Sequence, residues 1–174
     1  APFDQERDAI IEVLVLGEDG QPIDDVAGLI VPPAKRLRVA VVGAQSFVVR
    51  SILEGMALES LDLLDQAEFE RLAETGDLDS YDVIVLDDVE IETMPPGRYL
   101  SFGRTPPIEG VTEFGSPASG VIVRRSSEDH PVLRYVNLDE LYVSSMRKVT
   151  TGPGVTTLVE SGDGAMVVAL DRGP

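Results

Sequence analysis

Apolar and polar positions run in blocks along this chain, and the period of the blocks changes. Residues 9 to 16 are apolar except for Glu12 and read as a strand. Gly17-Glu18-Asp19-Gly20 is a turn signal and Val26 to Val31 a return strand, so the first thirty residues predict a β-hairpin. Pro32-Pro33-Ala34-Lys35 reads as a linker. Leu37 to Val42 is a valine-rich run, the mark of a strand buried on both faces. Phe47, Val48, Val49, Ile52 and Leu53 then form an apolar stripe that predicts a helix to about Met56, with Ser46 as its N-cap. Leu58 to Leu64 predicts a second strand. Asp65-Gln66-Ala67-Glu68 opens a second helix ending near Gly76, and Tyr81 to Leu86 is a third buried strand. This βαβαβ order, with right-handed crossovers, predicts a parallel sheet with a helix on each side.

After Asp87-Asp88 the helical pattern stops. Short strands are expected at Arg98 to Phe102, Gly120 to Arg124, Leu141 to Ser144, Thr156 to Glu160 and Met166 to Leu170. His130 to Tyr135 reads as a short helix. Gly162-Asp163-Gly164 between two strands is a hairpin signal. The expected class is α/β, with a doubly wound, mostly parallel sheet and a β-rich C-terminal half that completes or flanks it. The expected division is an N-terminal hairpin and linker at 1–34 and an α/β domain at 35–174.

Composition narrows the function. With 174 residues there is room for one domain with a sizeable core. The net charge of -17 argues against nucleic acid and against an anionic membrane surface, both of which need a basic face. The same acidity favours solubility and allows a basic protein or a cation as partner. Cysteine is absent, which removes disulfides, thiolate metal sites and cysteine nucleophiles. No apolar run approaches the ~20 residues that cross a bilayer, and no signal peptide is visible. Both ends are expected to be cut points in a longer parent protein.

Three places carry candidate chemistry. In open parallel sheets, ligands sit beyond the carboxyl ends of the strands. Gly43, Gln45 and Ser46 follow the first core strand and place a helix N-terminus where an anion could bind. They lack both the dinucleotide and the P-loop patterns, so a plain strand-to-helix turn is the competing reading. Asp87 and Asp88 end the third core strand, near Glu90 and Glu92. Adjacent carboxylates there can hold Mg²⁺, or can simply be a solvated acidic end. A phospho-acceptor receiver would need a further acidic pair where Val42-Gly43 stands. The lone His130 follows Glu128-Asp129. Catalysis would pair it with a nucleophile such as Ser46, Ser101, Ser116 or Ser119, and none of these sits in a G-x-S-x-G elbow. One histidine without cysteine does not make a zinc site unless several carboxylates help. The competing reading is a helix start with acids at its N-terminus. No cofactor and no metal are expected.

Four ordered segments suggest a family. They are Asp24 to Gly43 with Phe47 to Leu53, Tyr81 to Asp87, Pro95 to Gly103, and His130 to Val136 with Leu138 to Tyr142. Together, over roughly residues 24 to 170, they resemble the class I glutamine-amidotransferase-like domain of bacterial membrane proteins. Those proteins also carry a von Willebrand factor A domain and resemble the Bat aerotolerance group. The His-Pro and Asp-Glu-Leu-Tyr pieces also look like ThuA-like domains. The resemblance implies a flavodoxin-like sheet, and a parent tethered to the membrane with this domain outside the bilayer. Active amidotransferases use a cysteine nucleophile in a triad, and here no residue can take that role.

The function expected from these readings is a non-catalytic interaction or structural module. Its partners would be a protein or other domains of the parent chain, with membrane contact only through parent segments. The alternative is a metal-dependent ThuA-like hydrolase or carbohydrate-related enzyme using Asp87, Asp88, Glu140 and His130. That alternative requires those side chains to converge in one pocket. A small-ligand sensor at Gly43 to Phe47 is a third reading.

Overall fold

The computed structural model describes residues 9–14, 26–33, 35–43 and 47–171. The chain divides into two compact units, Ala1–Arg36 and Leu37–Pro174.

In the first unit, β1 (Ala9–Leu14) pairs antiparallel with β2 (Val26–Val31), with Ile10 opposite Ile30 and Ile11 opposite Leu29. Alternation along a strand puts Ile11, Val13 and Leu29 on one face and Ile10, Leu14, Val26 and Ile30 on the other. Both faces are therefore apolar, and only Glu12, opposite Gly28, interrupts them. All seven of these large side chains are at least half exposed. The predicted turn at Gly17 to Gly20 lies outside the described residues.

The second unit opens with the predicted βαβαβ order. It runs β3 (Arg38–Val42), α1 (Phe47–Glu54), β4 (Ser60–Leu64), α2 (Gln66–Thr75) and, after a short 3-10 turn, β5 (Val83–Asp87). A fourth parallel strand, β6 (Tyr99–Phe102), follows, and the sheet order is β4-β3-β5-β6. The valines of β3 serve both faces. Ala40 and Val42 pack with Leu64, Ile84 and Leu86 against Phe69, Leu72 and Ala73 of α2. Val39 and Val41 pack with Val85 against Val49 and Leu53 of α1 on the other face. Each fully buried Ile, Leu or Phe here contributes roughly 1.5–3 kcal/mol by leaving water. α2 begins where Asp65 accepts a hydrogen bond from the Glu68 amide at 2.8 Å, and it stops at Gly76 in the left-handed conformation.

The expected class does not hold beyond this point. The remaining strands form a separate six-stranded antiparallel sheet. They are β7 (Val111–Glu113), β8 (Ala118–Ser126), β9 (Tyr142–Met146), β10 (Val149–Thr151), β11 (Val155–Ser161) and β12 (Gly164–Leu170), in the order β7-β10-β12-β11-β8-β9. Among the described residues 44% are strand and 15% helix, so the chain is mostly β and not a doubly wound α/β fold. The physical reason lies in the connections. Parallel strands need a long crossover, usually a helix, whereas short turns join neighbours antiparallel. After β6 no amphipathic helix is left to carry a crossover. Gly162-Asp163 instead closes β11 onto β12, with Ser161 opposite Gly164. Lys148, just before β10, pairs with Asp163 of this turn at 3.3 Å. Leu133, Leu158 and Val159 form the small core of this half.

The expected helix at His130 to Tyr135 is also absent. The amides of His130, Leu133 and Val136 donate to the carbonyls of Ser127, His130 and Leu133, giving a string of separate turns. Pro131 has no amide to donate, and the Val132 amide points to Nδ1 of His130 at 3.3 Å.

Candidate functional site

The carboxyl end of the parallel sheet gathers three of the six candidate residues. Gly43 leaves β3 with φ +93°, a conformation that favours glycine, and its Cα faces the Asp87 carbonyl so closely that a Cβ would sit 2.5 Å from that oxygen. Asp87 ends β5, and Asp88 turns the chain with φ +49° while its amide donates to the Phe102 carbonyl at 2.9 Å. Gly43, Asp87, Asp88, Glu90 and Arg104 share one shallow groove of about 580 Å³ with Leu64 and Asp65. Gln45 and Ser46 lie outside the described residues.

The charges in this groove answer one another. The Arg104 guanidinium lies 2.6 Å from Glu90 and 3.7 Å from Asp88. Ser101, one of the candidate nucleophiles, donates its hydroxyl to the Arg104 carbonyl at 2.9 Å, which fixes the turn after β6. The carboxylates thus tie down the loop that follows β6. Sequence reasoning missed Arg104, because its partners are fixed by strand pairing and not by local spacing.

His130 belongs to neither this groove nor its strands. It lies in the connection between β8 and β9, in the antiparallel half. Glu140 lines a second groove, of about 900 Å³, between the second half of β8 and the segment from Leu133 to Leu141. Arg124, Arg134, Glu128 and Asp139 share that groove. Asp87 and Asp88 are therefore separated from Glu140, and the four side chains required by the hydrolase alternative do not share a pocket. Among the described residues no group of three His, Asp or Glu side chains could hold a metal ion. The second groove exists because β8 changes partner. Its first half pairs with β9 and its second half with β11. Arg124-Arg125 and Leu138 to Tyr142 were visible in the sequence, but nothing local announced that they would face each other.

One further carboxylate has a specific role. Glu113 of β7 accepts from the Thr105 amide at 3.1 Å and faces Arg147 at 3.4 Å. Partial burial opposes its charge, but the hydrogen bond from Thr105 and the Arg147 charge outweigh this and hold its pKa below the usual value. It pins the segment after β6 to the antiparallel sheet.

No helix among the described residues is long and apolar enough to cross a membrane. No family model, curated protein or solved structure matches this chain.

Proposed function

We propose that this chain is a non-catalytic interaction or structural module of a larger, membrane-tethered bacterial protein, a degenerate glutamine-amidotransferase-like domain without the cysteine nucleophile. The observation that supports this most is the β1–β2 hairpin. A strand apolar on both faces belongs in the interior of a layered domain. A two-stranded ribbon is marginal in water by itself. Contiguous exposed apolar surface marks a place where another protein surface sits. Ile10, Ile11, Val13, Leu14, Val26, Leu29 and Ile30 meet both descriptions. Their partner layers come from other domains of the parent or from a protein partner. The tethering to a membrane rests on the resemblance, in which such a domain lies between a von Willebrand factor A domain and a final membrane helix.

The test is an assay of ammonia release from glutamine, asparagine and simple amides by the purified chain. The expected rate equals that of buffer alone. Turnover that disappears when one residue of this chain is replaced would overturn the reading.

A further inference from the structure

We propose that residues 138–141 form a strap with two arrangements. One is the turn present in this structure. The other is a strand that extends β9 along the open half of β8 and closes the groove between them. The inference is independent of the interaction-module reading.

The register of the sheet carries the argument. β8 and β9 pair from Ala118 opposite Met146 to Ile122 opposite Tyr142, and there the pairing stops. Residues 123–126 of β8 continue beside β11 with no strand on their other side. Among the described residues, no backbone hydrogen bond crosses from them to residues 133–141 on the far wall of the groove. Carried onward, the same register sets Leu141 opposite Val123, Glu140 opposite Arg124, Asp139 opposite Arg125 and Leu138 opposite Ser126. Apolar meets apolar at the first step and acid meets base at the next two, which stabilises antiparallel neighbours. Arg125 already has Glu160 opposite it on β11, 3.6 Å away, so Asp139 completes an acid–base–acid row across three strands.

Both ends of the strap are anchored near that line. Tyr142 belongs to β9. Leu138 packs against the core of Leu133, Leu158 and Val159, and Val159 stands opposite Ser126. Between these anchors the chain bows into a turn, closed where the Leu141 amide donates to the Leu138 carbonyl at 3.1 Å. The turn suits its sequence poorly. Glu140 holds φ +65°, in the left-handed region that a residue with a side chain disfavours. One feature of β8 favours the turn. Arg125 faces Glu160 while Val123 faces Ser161, so β8 carries an extra residue here, and such a bulge bends its strand and ends pairing. The bulge and the strap's own charges thus pull in opposite directions. The groove of about 900 Å³ belongs to the turn arrangement, so a ligand seated in it holds the strap open and closure expels it.

The test is nuclear magnetic resonance on the whole isotope-labelled chain, with two substitutions at Glu140. Glu140→Gly removes the left-handed penalty and favours the turn. Glu140→Val raises that penalty and favours the strand. The expected result is a cross-strand Overhauser contact between the backbone protons of Arg125 and Asp139 in Glu140→Val, lost in Glu140→Gly. Amides over residues 123–126 should exchange about tenfold more slowly in the valine variant than in the glycine variant. Adding Asp139→Lys to Glu140→Val should weaken the contact, since it sets like charges opposite each other, whereas adding Asp139→Glu should keep it. Asp139 and Glu140 are exposed, so the fold is expected to survive, and unchanged exchange over β11 checks this. The proposal is overturned if the contact is missing in Glu140→Val, if it is equally strong in Glu140→Gly, or if Asp139→Lys leaves it unchanged.

Discussion

Leu100 stands in register beside Val85 on the same face of the parallel sheet, yet one is half in water and the other is sealed beneath α1. This pair separates a side chain on which the second unit's stability rests from one that it leaves in water. Val85→Ala removes two buried methylene equivalents and leaves a cavity, so a loss of about 2 kcal/mol is expected in urea unfolding. Leu100→Ser should stay within about 0.5 kcal/mol of the parent chain, as surface substitutions do.

Gly43 leads to a second prediction. Its positive φ and its approach to the Asp87 carbonyl leave no room for a side chain. Gly43→Ala is expected to destabilise by roughly 1 kcal/mol or more, measured by thermal or urea unfolding. A neutral result would show that the β3 end can move away from β5.

Tyr99 offers a test in alkali. Its hydroxyl is buried and has no hydrogen-bond partner among the described residues. Burial, with the Asp79 charge behind it, pushes its pKa up to about 12 from the ordinary 10.0. The folded state therefore holds this proton more tightly than the unfolded state. The stability linked to it is fully present below pH 10 and is lost as pH rises through about 12. Tyr99→Phe should flatten the fall in stability over that window. At neutral pH it should be neutral or stabilising by up to about 1 kcal/mol, because an unsatisfied polar group is removed.

Asp65 sets the start of α2. Asp65→Ala should cost about 1 kcal/mol, and Asp65→Ser or Asp65→Asn should restore most of it, since each can accept from the Glu68 amide. Equilibrium unfolding of the three variants checks this.

Much of the first half was legible in the sequence because its signals are local. The valines of β3 and β5, the Asp65 cap and Gly76 mark the βαβαβ order through periodicity and end signals alone. The second half was not legible at the level of class. Its strands were visible, but pairing depends on connections, and the sequence reading carried the parallel sheet onward where short turns built an antiparallel one. The expected helix at His130 failed because Pro131 and the His130 ring intercept the local amide pattern. Within the candidate site, Gly43, Asp87 and Asp88 were found from their place at strand ends. Arg104 was not, since it reaches Glu90 and Asp88 only once β6 pairs with β5.

The most direct test of the central claim is hydrogen–deuterium exchange across residues 9–14 and 26–31, measured in the isolated chain and within the intact parent protein. A two-sided apolar hairpin that belongs between partner layers should exchange fast when isolated and be slowed by about a hundredfold or more in the parent. Equal exchange in both states would contradict the account, because the hairpin would then have no partner to wait for.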